Sequence, residues 1–390
     1  MDSFDWSAPT RVIFGRGKED SVGDIIRSYG FSKILILYGQ GSIKKSGLFD
    51  RVLLSLQKNN IQWHELGGIR PNPDVSAVRQ AIDVCRKEGI DLILAIGGGS
   101  VIDTAKLSAT GFYYDGDPFD INMHRYIPKK ALPVGVILTI SAAGSEMSSS
   151  CVISDEKTQT KMGYNSQLNR PLFAIMNPEL TLSVSPYQTA IGIVDILMHT
   201  LERYFNPSGP YELADALAEG LLKTVMEAGK KAIENPMDYD ARATLMLASS
   251  LSHNGTTSLG KKSMMPVHQM EHVVSGLYPN VAHGAGLSVL FPAWGLFYCS
   301  VDIAKFDKFA RRVMNLHLES PIDNAKMGII RLKEFFHSIG MPLTFAELGI
   351  ENPDIEWMVN KLTNGGTRVV DHPIRPLDQE VARMIYESCL

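Results

Sequence analysis

The sequence is short of cysteine, of basic charge and of long apolar runs, and each shortage excludes something. Its four cysteines (Cys85, Cys151, Cys299 and Cys389) stand far apart, with no CxxC pair. They suit neither a disulfide framework nor a thiolate zinc site. Reduced, buried thiols and a cytoplasmic location are the expectation. The formal net charge is −4. Electrostatic nucleic-acid binders normally carry a basic excess, so no nucleic-acid partner is expected. The longest apolar stretch, Ala131 to Gly144, contains Pro133. It is too short to span a bilayer, and no membrane partner is expected. The first residues, Met1-Asp2-Ser3-Phe4-Asp5-Trp6, are acidic and lack the apolar core of a signal peptide. What remains is an ordinary globular composition over 390 residues, with 45% hydrophobic and 21% charged residues. That is enough chain for two or three domains.

The first half alternates strand and helix patterns. Lys33 to Tyr38 and Asp91 to Ile96 are short aliphatic runs, each ending at a glycine. Continuous apolar runs of this kind read as buried strands of a parallel sheet. Val134 to Ile140 reads as a third. Between the first two, Val75, Val78, Ile82 and Cys85 recur at helical spacing. Strands alternating with helices predict an α/β domain with its ligands at the carboxyl ends of the strands. The pattern changes near Ser185, after which the periodicity is helical almost to Leu390. Ser185-Pro186-Tyr187-Gln188 has the residues of a helix start: a serine cap, proline first and glutamine at the reciprocal position. Two domains follow, residues 1–185 and 186–390.

Gly97-Gly98-Gly99-Ser100 follows the second strand and opens a helix. Glycines there let a backbone come close to an anion and point free N–H groups at it, and a pyrophosphate is the natural occupant. A tight turn with no ligand is the alternative. Asp103 and Lys106 lie one turn further on, either facing a ligand or forming a solvated helix pair. After the first strand, Gly39-Gln40-Gly41-Ser42-Ile43-Lys44-Lys45 carries no acid before Asp50. Sites that prefer NAD usually place an acid there for the ribose 2′-OH, so this segment favours NADP(H) and leaves NAD(H) open. A plain glycine turn with two surface lysines reads equally well.

In the second half, Asp195 and His199 are four apart, as are His268 and His272, and His283 precedes a glycine. Residues at i and i+4 share a helix face. Oxygen and imidazole ligands without thiolate suit Fe²⁺ or Zn²⁺ and do not separate the two. Each pair alone reads more readily as a hydrogen-bonded pair. No Gly-x-Ser-x-Gly elbow or HExxH motif is present.

Together these residues resemble the iron-containing (group III) alcohol dehydrogenases, and most of all their butanol-dehydrogenase branch. The likeness rests on Phe14-Gly15, Tyr38-Gly39-Gln40-Gly41-Ser42, Pro71-Asn72-Pro73, the glycine turn through Lys106, and Leu138 to Met147. It continues through Asp195-x-x-x-His199, His268-x-x-x-His272 and His283-Gly284. The resemblance implies an α/β dinucleotide-binding domain and an all-α metal-binding domain, the dehydroquinate-synthase-like arrangement. It implies metal ligands at Asp195, His199, His268 and His283, with His272 beside the substrate as a proton relay. Gly98, Gly99 and Ser100 match the pyrophosphate site. Asp103, Thr139 and Lys161 match the nicotinamide end and catalytic cleft, and Gly39, Ser42 and Asn72 the adenosine side. Gly41, Ser141 and Leu180 complete the implied cofactor set.

Two residues depart from the family pattern. Ala143 stands where a threonine is frequent, and Glu271 lies between the paired histidines, where it is expected to raise the pKa of His272 or alter metal preference. The implied activity is metal-dependent, NADP(H)-preferring interconversion of small primary alcohols and aldehydes. Hydride transfer is expected in a cleft between the domains. A homodimer is implied by analogy, through the strand Arg11 to Phe14. The alternatives are a glycerol-dehydrogenase-type or dehydroquinate-synthase-type enzyme of the same fold, or a non-catalytic nucleotide-binding protein.

Overall fold

The computed structural model describes every residue except Met1, Asn206, Pro207, Ser208, Pro210, Ser263, Asp371 and Pro373. The chain divides into two compact units, Ser7–Ser183 and Val184–Leu390, the latter joined by the residues before Ser7. The first residues therefore belong with the helical unit, where the Trp6 indole N–H donates to the Asn254 carbonyl at 3.2 Å.

The first unit is built on eight strands: β1 (Arg11–Phe14), β2 (Lys33–Tyr38), β3 (Gln62–Leu66), β4 (Leu92–Gly97), β5 (Val134–Leu138), β6 (Ser150–Asp155), β7 (Thr160–Asn165) and β8 (Phe173–Met176). Six of them form a parallel sheet in the order β1-β8-β5-β4-β2-β3. β6 and β7 pair as an antiparallel hairpin. β2 and β4 are buried almost throughout because both sheet faces are covered. Val52 and Leu56 of helix Leu48–Lys58 pack with one set of strand residues. Helix Val75–Glu88 presents the expected stripe Val75, Val78 and Ile82, packed with Leu107 and Ile153.

After β3 is added on one side of β2, the chain crosses back to place β4 on the other side. The carboxyl ends of β2 and β4 thus form a topological switch point, where open α/β sheets bind ligands. The third expected strand ends at Leu138, two residues early. β3 carries no strand pattern of this kind in the sequence, because Gln62-Trp63-His64-Glu65-Leu66 is a half-exposed edge strand without a buried apolar run.

The second unit is helical. Among the described residues it has no strand, only an isolated bridge between Val370 and Leu377. Helix Pro186–Tyr204 starts as its sequence dictates, with Ser185 Oγ accepting from the Gln188 N–H at 3.2 Å. Helix His283–Tyr298 is apolar nearly all round and packs against helices Pro186–Tyr204, Pro266–Leu277, Pro321–Ser338 and Gln379–Glu387. Its Phe291 and Trp294 join Leu197, Met270 and Phe336 in one core. That packing fixes the faces that carry the candidate ligands.

Candidate cofactor turn and metal centre

β4 ends at Gly97, and helix Gly99–Gly111 starts at once with Gly98 as its cap. A Cβ on Gly98 would lie 2.3 Å from Ile140 Cγ2, so only glycine passes there. The first N–H groups of a helix have no partner within it and suit an anion. In the sheet register Tyr38 faces Ile96, which places Gly39 beside Gly97, and a Cβ on Gly39 would lie 4.0 Å from Val101 Cγ2 of the glycine helix. On the other flank the Thr139 N–H donates to the Gly97 carbonyl at 3.1 Å. Ser141 Oγ is buried with no hydrogen-bond partner.

Lys161, on β7, donates to Asn72 Oδ1 at 3.0 Å, so two candidates distant in sequence meet. Leu180 packs against the core below the sheet. Asp103 is engaged structurally: its carboxylate accepts from Ser145 Oγ at 2.5 Å and from the Val152 N–H at 2.8 Å. Lys106 is neither a solvated partner of Asp103 nor a ligand-facing cation. It is fully buried and donates to Ser145 Oγ and to the Ser148 and Ser150 carbonyls at 2.8, 3.1 and 2.8 Å. Burial pushes its ammonium below the usual lysine range, against the pull of Asp103. Together these bonds tie the glycine helix to the 145–152 segment. Lys44 pairs with Glu65 at 2.9 Å, an acid that sequence reading missed because β3 was not seen.

The metal candidates meet in the helical unit. Helix Pro186–Tyr204 supplies Asp195 and His199, helix Pro266–Leu277 supplies His268, and His283 is the first residue of the next helix. Candidate ligand atoms of Asp195, His199 and His268 all lie within 4.8 Å of one another. His283 joins from the side, its Nε2 3.9 Å from Asp195 Oδ1. His268 Nε2 is 3.8 Å from the same oxygen. Two ligands at ~2.1 Å on a tetrahedral ion would stand about 3.4 Å apart, so the spacing is close to what an ion needs. Asp195 Oδ1 and His268 Nε2 are both buried without a hydrogen-bond partner. Orphaned buried groups are costly, and a divalent ion would satisfy both. The donor set therefore fits the metal.

The far sides of the rings are held as well. His199 Nδ1 lies 2.9 Å from the Asp195 carbonyl, an acceptor that calls for N–H on that nitrogen. His268 Nδ1 contacts Glu202, and His283 Nδ1 contacts Glu271. For His268 and His283 this leaves Nε2 turned to Asp195, whereas His199 turns Nδ1 to it, 3.0 Å from Oδ1. Glu271 hence contacts His283, a partner from the next helix that its place beside His272 in the sequence did not suggest. Glu202 was missed, although its spacing after Asp195 and His199 on one helix was a usable signal. His253 was missed too: its ring centroid is 3.9 Å from that of His199, and no local pattern marks it. His272 is half-buried, its ring centroid 5.7 Å from that of His283, outside the Asp195 group.

Charge follows this geometry. Burial would raise the Asp195 carboxyl, but His199, His268 and His283 hold it well below the usual range. Burial drives His199 down to about 4. Burial also opposes charge on His268, yet Glu202 and Asp195 outweigh it and keep that ring up at about 9. Without an ion, a proton on His268 balances the carboxylates; an ion would replace it.

Comparison with known proteins agrees with both halves. The family described as iron-containing alcohol dehydrogenase matches residues 9–178, and its C-terminal family matches residues 189–389. The chain belongs to the iron-containing alcohol dehydrogenases. It is an alcohol dehydrogenase/aldehyde reductase of that family. It is 41% identical to NADH-dependent butanol dehydrogenase A of Clostridium acetobutylicum, over 100% of both chains. It is 32% identical to the NADPH-dependent aldehyde reductase YqhD of Escherichia coli, again over 100% of both. Among solved structures, NADH-dependent butanol dehydrogenase A from Thermotoga maritima superposes with a TM-score of 0.95 at 36% identity, covering 100% of this chain and 99% of that one. The two family matches together span nearly the whole chain.

Proposed function

We propose that the chain interconverts small primary alcohols such as butanol with their aldehydes, acting mainly as an NADP(H)-preferring aldehyde reductase. The observation that carries this reading is the buried, orphaned pair Asp195 Oδ1 and His268 Nε2, ringed by further imidazoles. Asp195, His199, His268 and His283 would hold Fe²⁺ or Zn²⁺. When bound, such an ion stabilises the negative charge that develops on the carbonyl oxygen during hydride delivery.

The residues of the chain do the rest. Gly98, Gly99 and Ser100 bind the pyrophosphate with backbone N–H groups, and Gly39, Gly41, Ser42 and Asn72 take the adenosine side. Thr139, Ser141, Leu180 and Lys161 line the remainder, and Asp103 positions the glycine helix through Ser145 and Val152. His272, half-buried and outside the ligand group, delivers the proton to the product oxygen. The preference for NADP(H) follows from the lack of a carboxylate between Gly39 and Lys45, which leaves room for a 2′-phosphate.

The test is NADPH and NADH oxidation on butanal with the metal-loaded enzyme. A higher kcat/KM with NADPH supports the preference, and a higher value with NADH overturns it. No turnover with any divalent ion would instead favour a non-catalytic nucleotide-binding protein. We also propose a cytoplasmic homodimer. No described helix is long and apolar enough to cross a membrane, all four cysteines are free and buried, and β1 forms one edge of the sheet. Light scattering on the purified protein tests the dimer.

A further inference from the structure

Glu271 is a fully buried carboxylate on helix Pro266–Leu277. Its neighbour in the next helix makes room for it: a Cβ on Gly286 would stand 2.9 Å from Glu271 Cγ. Burying a carboxylate is costly unless it has a partner, and the partner here is Nδ1 of His283. The opposite nitrogen of the same ring lies 3.9 Å from Asp195 Oδ1. One imidazole is thus held between two carboxylates.

We infer that Glu271 is the positioning residue of His283. It accepts the Nδ1–H, fixes the tautomer, and makes Nε2 a stronger and better-aimed donor. The inference rests on the proposal that Asp195, His199, His268 and His283 hold one divalent ion. Glu202 stands in the same relation to His268, but it also accepts the Val267 and His268 N–H groups, at 2.6 and 3.3 Å. Those are open donors at the start of a helix, so changing Glu202 would disturb that helix as well as the ring. The competing role for Glu271 is as a ligand: its carboxylate, His272 and His283 also come within 4.8 Å of one another.

The experiment compares the full-length wild type, E271Q, H283A and the double variant, each stripped of metal and titrated with Zn²⁺ against a chromophoric chelator. The wild type is expected to bind one ion. E271Q should bind it roughly 10–100-fold more weakly, the range seen for such outer partners, while its metal-free melting temperature stays close to that of the wild type. In the H283A background E271Q should change affinity by less than about twofold, because the ring through which it acts is gone. Wild-type affinity in E271Q overturns the inference, as does an equal loss with and without His283. Two ions in the wild type and one in E271Q would make Glu271 a ligand instead. No ion in the wild type would defeat the metal proposal itself.

A second readout needs no variant at position 271. In the zinc-loaded wild type, ¹⁵N spectra of the imidazoles should show His283 protonated at Nδ1. A proton on Nε2 overturns the inference.

Discussion

Two buried aspartates in the helical unit look alike in burial and differ in company. Asp215 takes three lysines: Oδ1 accepts from Lys261 at 2.6 Å, and Oδ2 accepts from Lys305 and Lys308 at 2.6 and 2.8 Å. Tyr204 packs under Lys305, its ring centroid 4.1 Å from the ammonium. Both carboxylate oxygens are satisfied by permanent charges. Asp195 has only imidazoles: His199 Nδ1 lies 3.0 Å from its Oδ1, and the Nε2 atoms of His268 and His283 stand 3.8 and 3.9 Å away, beyond hydrogen-bond reach. A carboxylate surrounded by ammonium groups completes itself. One surrounded by imidazoles, which can each give up a proton and offer a ring nitrogen, is suited to share a cation. The first arrangement holds helices together, and the second is built to receive something.

The largest expected effect separates these roles by activity. His268→Ala and Asp195→Asn should lose bound metal and more than about 100-fold of activity together, exceeding the usual loss for an outer partner, with the fold retained. Metal analysis beside a thermal melt checks it; full metal occupancy in His268→Ala would sink the ligand assignment. Asp215→Asn should do the reverse. It strands buried ammonium groups and is expected to cost about 3–5 kcal/mol, roughly 10 °C in Tm, while the folded fraction still binds one ion.

Acid should act on the same residue. The carboxyl of Asp215 is opposed by burial, yet its lysine partners hold it at about 2, against an ordinary 3.8. A depressed carboxyl stabilises the fold above its ordinary pKa and loses that contribution as pH falls towards 2. The loss is worth about 2 kcal/mol, and it should be missing from denaturation curves of Asp215→Asn. The smallest effect is the control. Arg383 and Glu356 pair at 2.8 Å but in solvent, so Arg383→Ala should change stability by less than about 1 kcal/mol. A larger change would mean that burial is not what separates these clusters.

Much of this architecture was legible in the residues. β2 and β4 announced themselves because strands buried on both faces are uniformly apolar, and Ser185-Pro186 marked the helical unit through its cap. The candidate ligands Asp195, His199 and His268 were legible through two i, i+4 pairs. What was hidden depends on long-range contacts. β3 is a half-polar edge strand, and so Glu65 was not seen beside Lys44. Lys106 looked like a surface residue because the serines that bury it lie about forty positions away. The contact of Glu271 with His283 is decided by the packing of two helices, which spacing along one helix cannot show. Asp215 gave no signal at all, since its lysines come from two segments about 46 and 90 positions away.

The most direct measurement is an anomalous difference map at the zinc or iron edge, from crystals of the metal-loaded protein. One peak is predicted, about 2.0–2.2 Å from an Asp195 oxygen and from the Nε2 atoms of His199, His268 and His283. A peak elsewhere, or ligation through Nδ1 of these rings, would contradict the account.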